Sequence, residues 1–191
     1  MIALRDVGPG DRERLRTWRN LPEVARHMYT DHAISEAEHA AWFARMMEDL
    51  NSRYWIVVAA GRDLGAVNLS HIDRRNGTAS WGFYLAEPPH PPGRGAGVYA
   101  LYRLADEAFL GLGLERLWAE ALASNRRSIG VHEVLGFRRE GVLRQHVVKD
   151  GKREDVVRMG LMRAEWDEAR PRVRTWLADR GWRPVDVERR P

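Results

Sequence analysis

The segment Gly93-Arg94-Gly95-Ala96-Gly97 stands directly before a run in which Val98, Leu101, Leu104, Ala105 and Ala108 recur at helical spacing. Glycines let a backbone approach a ligand closely and present successive N–H groups, and a helix N-terminus adds about half a positive charge, so the place suits a pyrophosphate. It is not a P-loop, because no Lys-Ser/Thr pair follows, and not the dinucleotide fingerprint, because its glycines simply alternate. A flexible turn capping the helix is an equally good reading of the same residues. Other chemistries are excluded more sharply. With no cysteine there is no disulfide, no thiolate metal site and no cysteine nucleophile. The seven histidines show no His-Glu-x-x-His or comparable spacing, so no catalytic metal is expected. No Gly-x-Ser-x-Gly elbow marks a serine hydrolase.

The chain that must position these residues has 191 of them, comfortable for one α/β domain. A hydrophobic fraction of 44% and a charged fraction of 30% are globular values. The longest apolar stretch in the first third, residues 54–60, is far too short to cross a bilayer, and the start, Met1-Ile2-Ala3-Leu4-Arg5-Asp6, has no signal-peptide pattern. A cytoplasmic protein with no membrane partner is expected. Lys and Arg number 31, only Lys149 and Lys152 being lysine, against 27 acids. Because the acids are interspersed, a nucleic-acid stripe is not indicated, whereas arginine suits bidentate phosphate binding by a small molecule.

Periodicity supplies the frame. A strand over 2–7 leads to a helix capped by Asp11, a short helix runs from Pro22 to Met28, and Ser35 opens a longer helix whose shared face is Ala40, Phe43 and Met47. Strands over 54–60, 64–72 and 78–85 follow, the last two joined at Asn76-Gly77. Then come the glycine segment with its helix, a strand over 115–122, a helix over 125–135 stopped by Gly136, and a hairpin of 142–148 with 155–162 around Asp150-Gly151. Strand, glycine loop, helix, strand is a crossover, so its flanking strands should be parallel. A helical stretch begins at Trp166, where Pro171 should interrupt or restart it. The expected division is residues 1–166 as one domain and 167–191 as a C-terminal helical extension.

Three strands, the glycine loop and helix, a strand, and then Asn125 through Phe137 together resemble the GNAT superfamily of acyl-CoA-dependent N-acyltransferases. The superfamily pattern Gln/Arg-x-x-Gly-x-Gly/Ala fits residues 92–97, with Pro92 in place of the leading polar residue and Arg94 as a substitute cation. The pattern Asn-x-x-Ala-x-x-x-Tyr-x-x-x-Gly-Phe fits 125–137, with Ser128 at the small position and His132 where the family has tyrosine. The resemblance implies an α/β fold of mixed α+β character: a mostly antiparallel twisted sheet with one splayed parallel pair and helices on both faces. It also implies acetyl-CoA as co-substrate, with Leu85, Arg94, Gly95, Ala96, Gly97, Val98, Asn125 and Ser128 as its binding residues. The amine attacks the thioester directly, so no enzyme nucleophile is needed. Glu120, mid-strand before the second motif, is the candidate base, directly or through water, and otherwise an outward-facing strand residue. His132 is the candidate acid toward the leaving thiolate.

Trp18-Arg19-Asn20, Met28-Tyr29, Ile34, Glu38-His39, Trp42-Phe43, Trp81-Gly82-Phe83-Tyr84, Glu140-Gly141, Asp155-Val156 and Glu165-Trp166 are similar to the nucleotide-sugar N-acetyltransferases of pseudaminic acid biosynthesis. That resemblance implies a UDP-linked 4-amino-sugar partner, held by Arg19, Met28, Tyr29, His39, Trp42 and Tyr84, and leaves room for a homodimer. Arginine for pyrophosphate, aromatics and methionine around uracil, and histidine as a polar anchor make physical sense. The ribosomal-protein N-terminal acetyltransferases share parts of the same signature.

Overall fold

Near-continuous apolar runs such as Trp55-Ile56-Val57-Val58 belong to strands covered on both faces, and a sheet bearing such strands must carry helices on each side. The structure, a computed structural model, describes residues 1–87 and 95–184, so Arg94 lies outside the described residues. Seven strands form one sheet: β1 (Ile2–Asp6), β2 (Arg53–Ala59), β3 (Arg62–Asp73), β4 (Thr78–Leu85), β5 (Arg116–Leu122), β6 (Arg138–Lys149) and β7 (Lys152–Met162). Their order is β1-β2-β3-β4-β5-β7-β6. Every pairing is antiparallel except β4 with β5, the pair that the crossover rule expects to be parallel.

The helices are α1 (Arg12–Arg19), α2 (Pro22–Ala25), α3 (Glu36–Glu48), α4 (Ala96–Asp106), α5 (Arg126–Leu135) and α6 (Arg163–Ala178). Alternation along β2 divides the core. Trp55, Val57 and Ala59 join the larger cluster under α4, α5 and α6, while Ile56 joins Leu15, Trp18, Phe43 and Ala66 under α1 and α3. Ser35 caps α3, accepting from the Glu38 N–H at 3.2 Å, as its capping-box pattern requires.

Several elements depart from the sequence reading. Asp11 stands at the N-cap of α1, but its side chain makes no cap bond. Its carboxylate instead accepts from Gly8 N–H and from both Arg5 and Arg14, because two nearby guanidinium groups outbid the helix amides. The short second helix ends at Ala25 rather than Met28. On α3 the buried face is His39 and Phe43, flanked by Trp42 and Met46, and Met47 is exposed. The final hairpin is longer than its apolar stretch, because β6 is an exposed edge strand whose pairing to β7 does not depend on apolar residues.

Pro171 does not interrupt α6, which runs unbroken through it, and Trp166 falls in its first turn. A mid-helix proline costs about 3 kcal/mol, and here tertiary anchors offset it: Trp166, Ala169, Val173 and Leu177 are all buried. A polar tie adds to them. Asp106 of α4, fully buried, accepts from Trp166 Nε1–H at 3.2 Å and from Arg170 at 2.8 and 3.1 Å. Removing Asp106 leaves the buried Trp166 N–H without its acceptor and takes a carboxylate away from Arg170. Asp106→Ala should therefore lower stability by about 3–5 kcal/mol, or Tm by roughly 10 °C, in thermal unfolding followed by circular dichroism. A loss below about 1 kcal/mol would mean that α6 is not held through this tie.

Candidate functional site

The site originates where the sheet opens. β4 and β5 pair through only three steps, Thr78 with Arg116, Ala79 with Leu117 and Ser80 with Trp118. Beyond them β5 keeps its partner β7, while β4 turns its next residue toward α5. The Trp81 indole N–H donates to His132 Nε2 at 3.0 Å, and its ring stacks on Phe137 with centroids 4.7 Å apart. Indole nitrogen can only donate, so His132 Nε2 must be the acceptor; Nδ1 then carries the proton and donates it to the Ser128 carbonyl at 2.7 Å. His132 is thus a neutral imidazole with both nitrogens committed. It is 3% exposed, and burial pushes its pKa down to about 4. The general-acid role expected of His132 does not fit: near neutral pH it holds no spare proton. It works as a positioning group between β4 and α5.

The cleft left by this parting has a volume of about 1330 Å³. That exceeds the roughly 300–1,000 Å³ of a single small-molecule site, so two substrates have room together. At one end Gly95, Ala96, Gly97 and Val98 open α4 and line the wall with Leu85 of β4. Gly95 is the N-cap at φ +115°, a left-handed conformation that glycine alone adopts without strain. A side-chain carbon there would lie 3.1–3.2 Å from Trp182 and Trp176, and one at Gly97 would lie 3.4 Å from the Phe83 ring. The glycines thus form a narrow cradle packed against the protein's own rings, and the helix N-terminus that it opens, on the wall of the cleft, suits the pyrophosphate of coenzyme A. Asn125 caps α5, accepting from Ser128 N–H at 3.1 Å, and both residues line the same cleft.

The other end lies against the face carrying α1–α3. Arg19, Met28, His39, Trp42 and Tyr84 all line it. Arg19 ends α1 with its Nη1 buried and unpartnered; its Nη2 reaches only Thr30 Oγ1 at 3.5 Å. Burial lowers its pKa, and the groups nearest it electrostatically are the phenols of Tyr84 and Tyr54 rather than a carboxylate. His39 is 3% exposed, its Nε2 has no partner, and burial lowers its pKa as well.

Tyr29 is not part of that wall. Its O–H donates to Glu120 Oε2 at 2.9 Å, while Arg158 donates to Glu120 Oε1 at 3.2 Å. Burial, and then Glu120, push the Tyr29 phenol well above its ordinary value, so it stays protonated. Glu120 also lines the cleft.

Sequence reasoning missed the groups that hold this end in place. The buried Lys149 donates to the carbonyls of Ala25 and Thr30 at 3.0 and 2.7 Å, fastening the hairpin tip to the segment after α2. Asn20 exchanges two hydrogen bonds with the backbone of Ile34. Arg158 faces Glu120 across β7 and β5 and lies over Trp118 at 4.2 Å. These pairs are too far apart in the chain for any spacing rule. Among the described residues no group of three or more His, Cys, Asp or Glu could hold a metal ion, and no helix is long and apolar enough to cross a membrane.

Residues 2–138 match the family model described as Acetyltransferase (GNAT) domain, and the chain belongs to that family of acetyl-CoA-dependent N-acetyltransferases. Among its relatives, "Putative ribosomal N-acetyltransferase YdaF" of Bacillus subtilis (strain 168) is 30% identical over 174 residues, covering 87% of this chain and 93% of that protein. "Uncharacterized N-acetyltransferase p20" of Bacillus licheniformis is 28% identical over 171 residues, covering 86% and 94%. The crystal structure of spermidine N-acetyltransferase from Vibrio cholerae in complex with CoA and spermine shares the fold, with a TM-score of 0.78 at 22% identity over 86% of this chain and 97% of that one.

The state of His132 has a measurable consequence. Its folded pKa, about 4, lies below the ordinary value near 6.5, so the unfolded chain binds the proton more readily. The stability it contributes is complete above pH 6.5 and is lost as pH falls toward 4, up to about 3 kcal/mol. Urea unfolding measured across that window should show this slope, and His132→Gln should reduce it by close to one proton. An unchanged slope in the variant would contradict the neutral, buried assignment.

Proposed function

We propose that this acetyltransferase acts on an amine whose neighbouring group is anionic, specifically the 4-amino group of a UDP-linked 4-amino-4,6-dideoxy-N-acetyl-hexosamine of the β-L-altrosamine type, the acceptor used in pseudaminic acid biosynthesis for flagellin glycosylation. The observation that carries this reading is Arg19. A guanidinium with a buried, unpartnered nitrogen and no facing carboxylate is costly on its own and is relieved by a phosphate. His39, with its free Nε2, adds a second polar anchor. Trp42 and Tyr84 offer aromatic faces for a uracil, and Met28 an adaptable apolar contact. A polycation would gain nothing from Arg19.

In this proposal the amine reaches the thioester carbonyl between the two ends of the cleft. Glu120 takes its proton, directly or through a water. Two of the carboxylate's roughly four lone-pair positions are filled, by Tyr29 and Arg158, leaving others for the acceptor. Backbone N–H groups of β4 beyond Ser80, where β5 no longer pairs, are suited to the carbonyl oxygen. With His132 committed, the departing thiolate is protonated by solvent.

A second reading is acetylation of a protein N-terminus, favoured by the 30% identity to the Bacillus subtilis relative. Incubation with acetyl-CoA and, separately, UDP-4-amino-sugars, spermidine and a ribosomal N-terminal peptide, read as free thiol released, distinguishes them. Turnover of the peptide or spermidine but of no UDP-sugar would refute the first reading.

Two substitutions test its parts. Arg19→Ala should weaken UDP-sugar binding about 10- to 100-fold, the worth of a charged hydrogen bond, and leave acetyl-CoA affinity intact in calorimetry. Equal loss of both ligands would indicate damage to α1 instead. Glu120→Gln should lower kcat by roughly 10²- to 10⁴-fold with little change in acceptor KM. Wild-type kcat in that variant would remove Glu120 as the base.

A further inference from the structure

The C-terminal helix α6 lies beyond the residues matched by the family model, yet Trp176 and Arg180 line the same cleft as the glycine cradle. Trp176 packs against the turn that opens α4: a side-chain carbon at Gly95 would lie 3.2 Å from its ring. Arg180 sits one helical turn on, with its guanidinium 3.7 Å from the Trp176 ring centroid and Nη1–H donating to the Trp176 carbonyl at 3.0 Å. The indole face and the carbonyl together hold the cation in one place on the wall of the cleft. No carboxylate of the described residues pairs with it.

We propose that Arg180, oriented by Trp176, binds the 3′-phosphate at the adenosine end of coenzyme A. This rests on the coenzyme's pyrophosphate lying at Gly95–Gly97. That diphosphate already has the α4 N-terminus and its backbone N–H groups. The charge of the coenzyme still unmatched is the terminal phosphate monoester, close to a dianion at neutral pH, and a stacked, stationary guanidinium is the group that binds it best. The helix following the hairpin thus completes the donor site from outside the acetyltransferase core.

Calorimetry with coenzyme A and with 3′-dephospho-coenzyme A on the full-length protein tests this without turnover. The wild type should bind coenzyme A roughly tenfold or more tightly than the dephospho form, and the ratio should shrink with added salt. Arg180→Gln should reduce the ratio to near one by weakening coenzyme A alone, and Arg180→Lys should restore part of it. Trp176→Phe, which keeps an aromatic face, should retain most of the preference. Equal weakening of both ligands by Arg180→Gln, or weakening of UDP in place of coenzyme A, would overturn the assignment. Tight but equal binding of the two coenzymes by the wild type would refute this site alone, whereas no binding of either would refute the cradle itself.

Discussion

The structure depends on a short ladder and the contact that ends it. β4 and β5 are joined by three residue pairs, after which the Trp81 indole bonds to His132 of α5. A longer ladder would close the sheet and leave no space between its halves. Because Trp81 stacks on Phe137 and meets His132 within one aromatic cluster, β4 is fastened to the helix layer instead of its strand neighbour. The cleft, the α4 N-terminus on one side and the α5 cap at Asn125 on the other all follow from that departure. The same contact determines the chemistry of His132, since a histidine between an indole N–H and a peptide carbonyl is satisfied only as the neutral Nδ1–H form.

Against this satisfied interior, the acceptor end is notable for what is left unpaired. Its surroundings are tied down on several sides: Arg5 and Arg14 on Asp11 at the start of α1, Asn20 on Ile34 at its end, Lys149 on the segment after α2. Within that rigid frame Arg19 Nη1 and His39 Nε2 remain without partners. Buried polar groups are almost always paired, so these two open groups are what supports the proposed acceptor site. Glu120, held by Tyr29 and Arg158, lines the same cleft.

Most of the architecture was legible from local patterns. The strands, the Ser35 cap, the Gly136 stop and the parallel crossover all rest on periodicity or turn chemistry, which act within a few residues. Gly95 was legible for a related reason: a backbone that must turn left-handed holds a side chain only under strain. Pro171 and Met47 were misread, and Asp11 holds its N-cap position without a cap bond, because distant partners outweighed local preference. Two arginines drew the Asp11 carboxylate from the helix amides, buried anchors carried α6 through its proline, and packing against the sheet rotated α3 so that Met47 faces solvent.

His132 marks the boundary between the two kinds of information. The sequence by itself determined that a titratable ring stands at that point of the motif, along with the strand, loop and helix that carry it. It also determined that this chain supplies no disulfide, thiolate metal ligand or cysteine nucleophile, whatever its fold. Only the tertiary structure decided what the ring does, because protonation state depends on burial and on which atoms face each nitrogen. Trp81 is 51 residues away from His132, Arg158 is 38 from Glu120, and Lys149 is 119 from Thr30. Contacts at such separations are set by sheet order and helix packing. The same holds for Arg19: its type was visible in the sequence, but its lack of a partner exists only once every neighbour is in place.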